Sequence, residues 1–200
     1  MSELWNLFLK GGYVMYPILL CSIISIAIVV ERLFFYRDAA TSAEFLPKLK
    51  ELLLQHNYDE ALSWSKNNQG DCPRLAEAYL SQESKDLSIV ESNANLALDS
   101  YDEHVIFLDM IVTASPLLGL LGTIFGMISA FKVFDLRAGQ PFAITGGIGE
   151  ALIATAFGLM VALLALGLHC ILRFYSDRLV TDIKECCAIL EIRKQDGQEV

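Results

Sequence analysis

The sequence predicts an all-α membrane protein with three transmembrane helices, because three long charge-free segments divide its 200 residues. The segments 11–30, 110–131 and 151–172 contain no Asp, Glu, Lys or Arg, and each has 20 to 22 residues. At about 1.5 Å per residue, a helix of that length crosses a hydrocarbon core of roughly 30 Å. A helix satisfies its own backbone hydrogen bonds in lipid, so each segment is expected to be helical.

These segments set the expected organisation of the chain. A cleaved signal peptide is the alternative for the first segment, but its apolar run exceeds the usual 7–15 residues or so, and Glu3 interrupts a basic leader. We therefore expect a retained span. The predicted divisions are an outer-face amphipathic helix (1–14), transmembrane helix 1 (15–36), a cytoplasmic helical segment (37–104), transmembrane helix 2 (105–131), an outer loop (132–147), transmembrane helix 3 (148–174) and a cytoplasmic C-terminal helix and tail (175–200).

The second and third transmembrane helices are predicted to extend into the cytoplasm as a helical bundle. Ser88 and Glu91 have the spacing of a capping box, and no strong helix stop follows before Phe131. The third helix is expected to continue with an apolar stripe at helical spacing. Its members are Leu179, Ile183, Cys186 and Leu190. Apolar spacing and turn residues predict short helices over 45–53 and 58–66, and another beginning near Pro73.

The distribution of basic residues predicts the orientation in the membrane. Lys and Arg are concentrated after the first and third spans, whereas the amino terminus and the second loop carry few of them. Basic residues favour the cytoplasmic side, so the amino terminus is expected outside and the C-terminal tail inside.

Composition excludes several classes of function. The segment 37–104 carries more acidic than basic residues, which argues against nucleic acid as a partner. The five cysteines show no metal-ligand spacing with histidine, so we expect neither a metal nor a cofactor. No nucleophile-and-base motif or phosphate-binding loop occurs, and an enzyme is therefore not predicted.

A stripe of small residues marks one face of the second span. Its members are Ser115, Gly119, Gly122, Gly126 and Ser129. Their spacing of four, three, four and three places them together on a helix, where small side chains allow close backbone approach. We predict that these five residues pack the helices closely together, with ordinary tight packing as the alternative to a functional role. Thr123 lies beside the stripe and adds a hydroxyl at membrane depth.

Polar residues also follow the third span. Thr155 and His169 share a face, and Glu150 lies at the outer end. An intramembrane carboxylate is costly and therefore suggests function, although Glu150 could instead lie at the interface near the helix amino terminus. His169 could add polarity to a pore or be a satisfied polar group between helices. Asp109, at the inner end of the second span, is expected to be solvated or paired.

Two motifs resemble those of the ExbB/TolQ/MotA family of proton channels, with ExbB and TolQ the nearer types. Residues 114–127 read ASPLLGLLGTIFGM and resemble the family's second-span motif. Residues 147–159 read GIGEALIATAFGL and resemble its third-span motif. The order of spans and the long cytoplasmic segment are also similar. Ser115 departs from the family, which often has Ala before this proline.

The resemblance implies a subunit of an ion-driven motor in the bacterial inner membrane, with a periplasmic amino terminus. Such subunits form homo-oligomers, typically pentamers, around the single-span helices of an ExbD/TolR-like partner, which can act on a TonB/TolA-like protein. Thr123, Glu150 and Thr155 match the family's ion-pathway positions. Protons rather than sodium ions are the implied cargo. The lipid bilayer is the remaining partner.

Two other classes of function stay open on the residues alone. A non-conducting scaffold would use the small-residue stripe and the cytoplasmic helices only to assemble an envelope complex. A transporter or intramembrane enzyme would need binding or catalytic residues that the sequence does not offer. Substitution of Glu150 separates a channel from a scaffold.

Overall fold

The computed structural model describes residues 2–82, 88–136 and 141–196, and within these ranges it contains helices and no strand. The helices are α1 (Ser2–Lys10), α2 (Met15–Ala39), α3 (Phe45–Leu54), α4 (Tyr58–Asn67), α5 (Asp71–Leu80), α6 (Ser88–Asp102), α7 (Val105–Leu136) and α8 (Pro141–Asp196). Three stretches are long and apolar enough to cross a membrane: Met15–Ala39, Val90–Lys132 and Thr145–Ile192. The predicted all-α membrane class is therefore confirmed.

The helix predicted to run unbroken from Ser88 to Phe131 is divided at Glu103 and His104, where α6 gives way to α7. The carbonyl groups at the end of a helix need partners from outside it. Arg32 of α2 donates to the carbonyl oxygen of Ser100 at 2.7 Å. The Tyr36 hydroxyl donates to the carbonyl oxygen of Tyr101 at 2.8 Å. Side chains distant in sequence thus stabilise a helix end that local pattern does not reveal.

The helices around the second loop are longer than predicted. α7 continues to Leu136 and α8 begins at Pro141, so most of the expected loop 132–147 is helical. Proline suits the first turn of a helix because the amide proton it lacks would have no partner there. Residues 137–140 of the predicted loop lie outside the described part. α8 then continues without a break to Asp196, in agreement with the predicted extension of this helix beyond its span end at 174.

The chain divides into two compact units, and α2 and α8 contribute residues to both. Unit 1 comprises 1–30 and 105–171, and unit 2 comprises 31–104 and 172–200. An apolar cluster in unit 1 joins α2, α7 and α8. Its buried members are Val14, Ile18, Ile111, Val161 and Ala165. Burial of these aliphatic groups holds the three apolar helices of unit 1 together, largely through close van der Waals contact.

Unit 2 is built from the short helices and the ends of the long ones. α3 packs on α4, α4 on α5 and α5 on α6. The predicted stripe on α8 is buried, in agreement with its expected packing role: Leu179, Ile183, Cys186 and Leu190. Cys186 also donates from its thiol to the carbonyl oxygen of Cys72 at 3.6 Å, which brings α8 against α5. α3 and α4 begin and end within one residue of their predicted positions, and Pro73 lies in the first turn of α5, as predicted.

Arg32 is the buried charge of unit 2, with only 3% of its surface exposed. Its guanidinium donates to the Glu31 carboxylate at 2.8 and 3.0 Å, to the Ser100 carbonyl and to Nδ1 of His104. His104 Nδ1 lies 3.3 Å from Glu31, and the guanidinium lies over the Phe35 ring at 4.8 Å. The buried charge is therefore paired and hydrogen-bonded, as burial requires.

Arg32→Ala is expected to destabilise the protein by about 2 kcal/mol, because it removes charge-assisted hydrogen bonds from a buried position. Arg173→Ala is the matched control. The Arg173 guanidinium bonds to Asp102 at 2.8 Å, but the two side chains are 51% and 58% exposed. Exposed pairs contribute about 0–1 kcal/mol. The thermal unfolding temperature in detergent measures the stability of both variants. Equal decreases in that temperature would contradict the stabilising role given to Arg32.

Candidate functional site

The glycine stripe of α7 faces α8. A Cβ atom placed on Gly119 would lie 3.1 Å from the Cα atom of Thr155. One on Gly122 would lie 2.5 Å from the Cβ atom of Ala154. These positions leave no room for a side chain without movement of a neighbour. The stripe therefore lies at a within-chain contact, where absent side chains allow the two backbones to approach closely.

The rest of the stripe extends this contact toward both ends of the span. A Cβ atom on Gly126 would lie 2.9 Å from the carbonyl oxygen of Gly147. At the other end, Ser115 is fully buried, and its hydroxyl has no hydrogen-bond partner among the described residues. Ser129 differs from the other members, because it is exposed and lines a cavity instead.

Gly158 is the counterpart of this stripe on α8. A Cβ atom there would lie 2.6 Å from the carbonyl oxygen of Ser115 and 2.9 Å from the Cα atom of Gly119. Both neighbours are backbone atoms, which cannot rotate away as a side chain can. Gly158 therefore marks a point of very close approach between α7 and α8.

Thr155 connects the same two helices. Its hydroxyl lies 3.1 Å from the carbonyl oxygen of Gly119 on α7 and 3.2 Å from that of Ala151 on α8. A hydroxyl has one proton and two lone pairs, so its proton is shared between these carbonyls while both lone pairs stay available. Thr155 can therefore accept a hydrogen bond from water while it holds α7.

Thr123 is partly exposed on α7, and its hydroxyl donates to the carbonyl oxygen of Leu120 at 2.7 Å. This bond stays within the helix and leaves the lone pairs of the oxygen to accept from another group. No hydrogen bond joins Thr123 to Thr155 or Glu150 among the described residues.

Glu150 is partly buried on α8 and borders a cavity of about 430 Å³. The other residues that line the cavity are Gly11, Tyr13, Val14, Gly122, Phe125 and Ser129. The carboxylate makes no hydrogen bond or ion pair with any residue in the described ranges. It thus borders a cavity large enough to hold water.

The three predicted ion-pathway residues are not gathered at one point of the single chain. Glu150 and Thr155 are five residues apart, which is roughly 140° around a helix. Thr155 points at Gly119, whereas Glu150 points at the linker between α1 and α2.

The linker residues Gly11 to Val14 were not predicted to be part of the site. Gly12 has φ +73°, and a Cβ atom on it would overlap a carboxylate oxygen of Glu150. The two consecutive glycines before the first span were the available signal, since glycine permits left-handed backbone and close approach.

His169 and Asp109 remain without an assigned role. His169 is partly buried on α8, and Asp109 is exposed on α7. Neither side chain makes a hydrogen bond or ion pair within the part of the chain that the structure describes. In that same part, no group of three or more His, Cys, Asp and Glu side chains could hold a metal ion.

Comparison with known proteins identifies relatives of this chain. The biopolymer transport protein ExbB-like 3 of Synechocystis sp. is 32% identical over 169 residues, covering 79% of this chain and 79% of that protein. The biopolymer transport protein exbB1 of Vibrio cholerae is 26% identical over 194 residues, covering 92% and 85% respectively. The Tol-Pal system protein TolQ of Haemophilus influenzae is 37% identical over 70 residues, covering 34% and 31%.

The model of the MotA/TolQ/ExbB proton channel family matches residues 72–185. That range is more than half of the chain and contains Thr123, Glu150 and Thr155. It also contains the close contact between α7 and α8. This multi-pass membrane protein therefore belongs to the MotA/TolQ/ExbB proton channel family.

Proposed function

We propose that the chain is a subunit of a motor in the bacterial inner membrane driven by the proton-motive force. Copies of the chain form a homo-oligomeric channel, a pentamer, around the single span of an ExbD/TolR-like partner. The motor acts through a TonB/TolA-like protein on transport or maintenance at the outer membrane. The amino terminus lies in the periplasm and the carboxyl terminus in the cytoplasm.

The observation that carries this proposal is the carboxylate of Glu150, which borders a cavity and makes no hydrogen bond or ion pair within the described residues. A charged side chain within a membrane span is costly and is retained where it has a partner or a task. Inside unit 1, Glu150 has no such partner among the described residues. A mobile cation supplies the missing positive charge, and the cavity leaves space for one with its water.

The threonine hydroxyls support a polar path beyond Glu150. Thr155 is held against α7 by its bond to the Gly119 carbonyl, so its oxygen has a fixed position. Thr123 keeps its lone pairs available on the neighbouring helix. Fixed oxygens of this kind can orient water in an otherwise apolar lining. Since they do not meet Glu150 within one chain, neighbouring subunits and the partner helix complete the path.

Exposed apolar surface on the spans supports assembly within the membrane. Large aliphatic and aromatic side chains stay exposed on α7 and α8, including Leu117, Ile124, Leu152 and Leu163. The first span, α2, also exposes apolar side chains, including Leu19, Ile23 and Phe34. We assign α2 to the lipid-facing periphery and α7 and α8 to the subunit contacts, because Thr123, Glu150 and Thr155 all lie on α7 and α8.

A non-conducting scaffold is the competing proposal. The close contact of α7 with α8 through Gly119, Gly122 and Gly158 would serve a scaffold as well as a channel. A scaffold, however, gives no reason for a carboxylate that borders a cavity and makes no hydrogen bond or ion pair within the described residues. Ion conduction therefore separates the two functions.

Reconstitution of the complex tests the proposal. We expect vesicles that contain the chain and its single-span partner to take up protons when a potential, negative inside, is applied. The driving free energy is about 2.3 kcal/mol per charge per 100 mV. Proton uptake is read from a pH-sensitive dye inside the vesicles, and a sodium-sensitive dye tests the other cargo. Uptake no faster than in empty vesicles would favour the scaffold.

A further inference from the structure

The segment Gly11 to Val14, here called the outer linker, forms one side of the cavity beside Glu150. Three of its residues, Gly11, Tyr13 and Val14, line the cavity directly. The fourth, Gly12, lies against the carboxylate itself. The linker thus takes part in the site through its backbone, although it lies outside the range 72–185 that defines the family match.

Hydrogen bonds and burial hold both ends of the outer linker. The Gly11 amide donates to the carbonyl oxygens of Leu7 and Phe8, both at 3.1 Å, which closes α1. The Met15 amide donates to the Gly12 carbonyl at 3.2 Å, at the residue where α2 begins. Val14 and Met15 are buried in unit 1. The linker is therefore a fixed wall of the cavity in this structure.

Gly12 is the point where this wall meets Glu150. Its φ of +73° lies in the left-handed region that favours glycine. A Cβ atom would overlap Oε1 of Glu150 and lie 2.9 Å from its Cδ atom. The carboxylate therefore occupies the space that any side chain at position 12 would need.

We propose that the outer linker positions the Glu150 carboxylate for ion uptake, and that Gly12 is the positioning residue. The inference rests on the proposed channel function and adds a residue set from a different part of the chain. By having no side chain, Gly12 lets Oε1 of the carboxylate lie against the linker backbone while the carboxylate stays beside the cavity, where a proton or hydrated cation can reach it. A side chain at this position displaces the carboxylate and covers it.

Gly12→Ala in the full complex tests this inference. We expect proton uptake to fall several-fold, since the carboxylate must leave the position that it occupies beside the cavity. We also expect slower modification of Glu150 by an apolar carbodiimide, measured by mass spectrometry. Ile23→Ala is the control, because Ile23 is 56% exposed on α2 and does not line the cavity. It should stay within about twofold of the wild type.

A second variant separates positioning from backbone strain. Gly12→Ala strains a left-handed residue whatever Glu150 does, because an alanine disfavours a φ of +73°. Glu150→Asp shortens the side chain by one methylene, so the carboxylate no longer occupies the position of a Cβ atom on residue 12. The double variant should therefore conduct better than Gly12→Ala alone if the carboxylate contact is the cause. If Glu150→Asp itself abolishes uptake, the rate at which the carbodiimide modifies Glu150 in Gly12→Ala is the test instead. A slower rate than in the wild type supports displacement of the carboxylate, and an unchanged rate contradicts it.

The outcomes distinguish this inference from the proposed function. Normal uptake and normal modification in Gly12→Ala, with Glu150→Gln inactive, would overturn the linker role and leave the channel in place. The linker role would also be overturned if Gly12→Ala lost proton uptake, the added Glu150→Asp did not restore it, and the carbodiimide modified Glu150 in Gly12→Ala at the wild-type rate. Full activity of Glu150→Gln would instead overturn the proposed function.

Discussion

Glu150→Gln is expected to abolish the proton-dependent activity of the complex in cells while leaving the oligomer intact. The substitution keeps the shape of the side chain and removes the charge and the titratable oxygen. Because the carboxylate makes no hydrogen bond or ion pair within the described residues, the change leaves no partner among those residues unsatisfied. Loss of activity without loss of assembly would thus report on ion binding.

The measurement compares the driven outer-membrane process in cells that carry each variant, with the oligomer quantified after mild detergent extraction. Glu185→Gln is the matched control, because it removes one charge from an exposed position of the same helix. It is expected to retain activity. Full activity of Glu150→Gln at normal complex levels would refute a role for this carboxylate in ion movement.

Gly158→Leu is expected to prevent folding of unit 1, and Gly158→Ala is expected to destabilise it. A Cβ atom alone would already lie 2.6 Å from one backbone atom of α7 and 2.9 Å from another. Overpacking of a close contact costs typically about 1–3 kcal/mol, and a leucine adds three more carbon atoms. The bond from Thr155 to the Gly119 carbonyl would lengthen as the helices separate.

Gly167→Ala gives the matched control on the same helix, since a Cβ atom there has no neighbour within 4 Å. Alanine is favoured over glycine in a helix by about 1 kcal/mol, so this variant should be at least as stable as the wild type. Thermal unfolding in detergent and the yield of folded oligomer measure the set. If Gly158→Ala matched Gly167→Ala in both, α7 and α8 would not approach as closely as described.

The membrane-spanning fold could be predicted because its cause is local. A run without charges, such as 151–172, is long enough to cross lipid, and lipid requires a helix. The stripe of Leu179 and its neighbours could be predicted in the same way, since helical spacing places them on one face. Such features depend on residues close in sequence.

The break between α6 and α7 could not be predicted for the opposite reason. The residues around Glu103 and His104 contain neither proline nor glycine, so nothing local ends a helix. The partners of the terminal carbonyls come from Arg32 and Tyr36, nearly seventy residues earlier. A contact between distant side chains leaves no periodic pattern for sequence reasoning to detect.

The candidate site was predicted in its residues but not in its surroundings. Glu150, Thr123 and Thr155 were chosen on polarity at membrane depth and on resemblance. The sequence does not show that the Thr155 hydroxyl is directed at Gly119, or that Glu150 faces Gly12. Both facts depend on how α8 is rotated against its neighbours, which many side chains set together.

Proton uptake by vesicles that contain equal amounts of the wild-type and Glu150→Gln complexes tests the central claim most directly. Both preparations carry the single-span partner and are exposed to the same applied potential. We expect voltage-driven acidification with the wild type and the background rate of empty vesicles with Glu150→Gln. Equal acidification by the two complexes would contradict conduction through Glu150, and no acidification by either would contradict the channel itself.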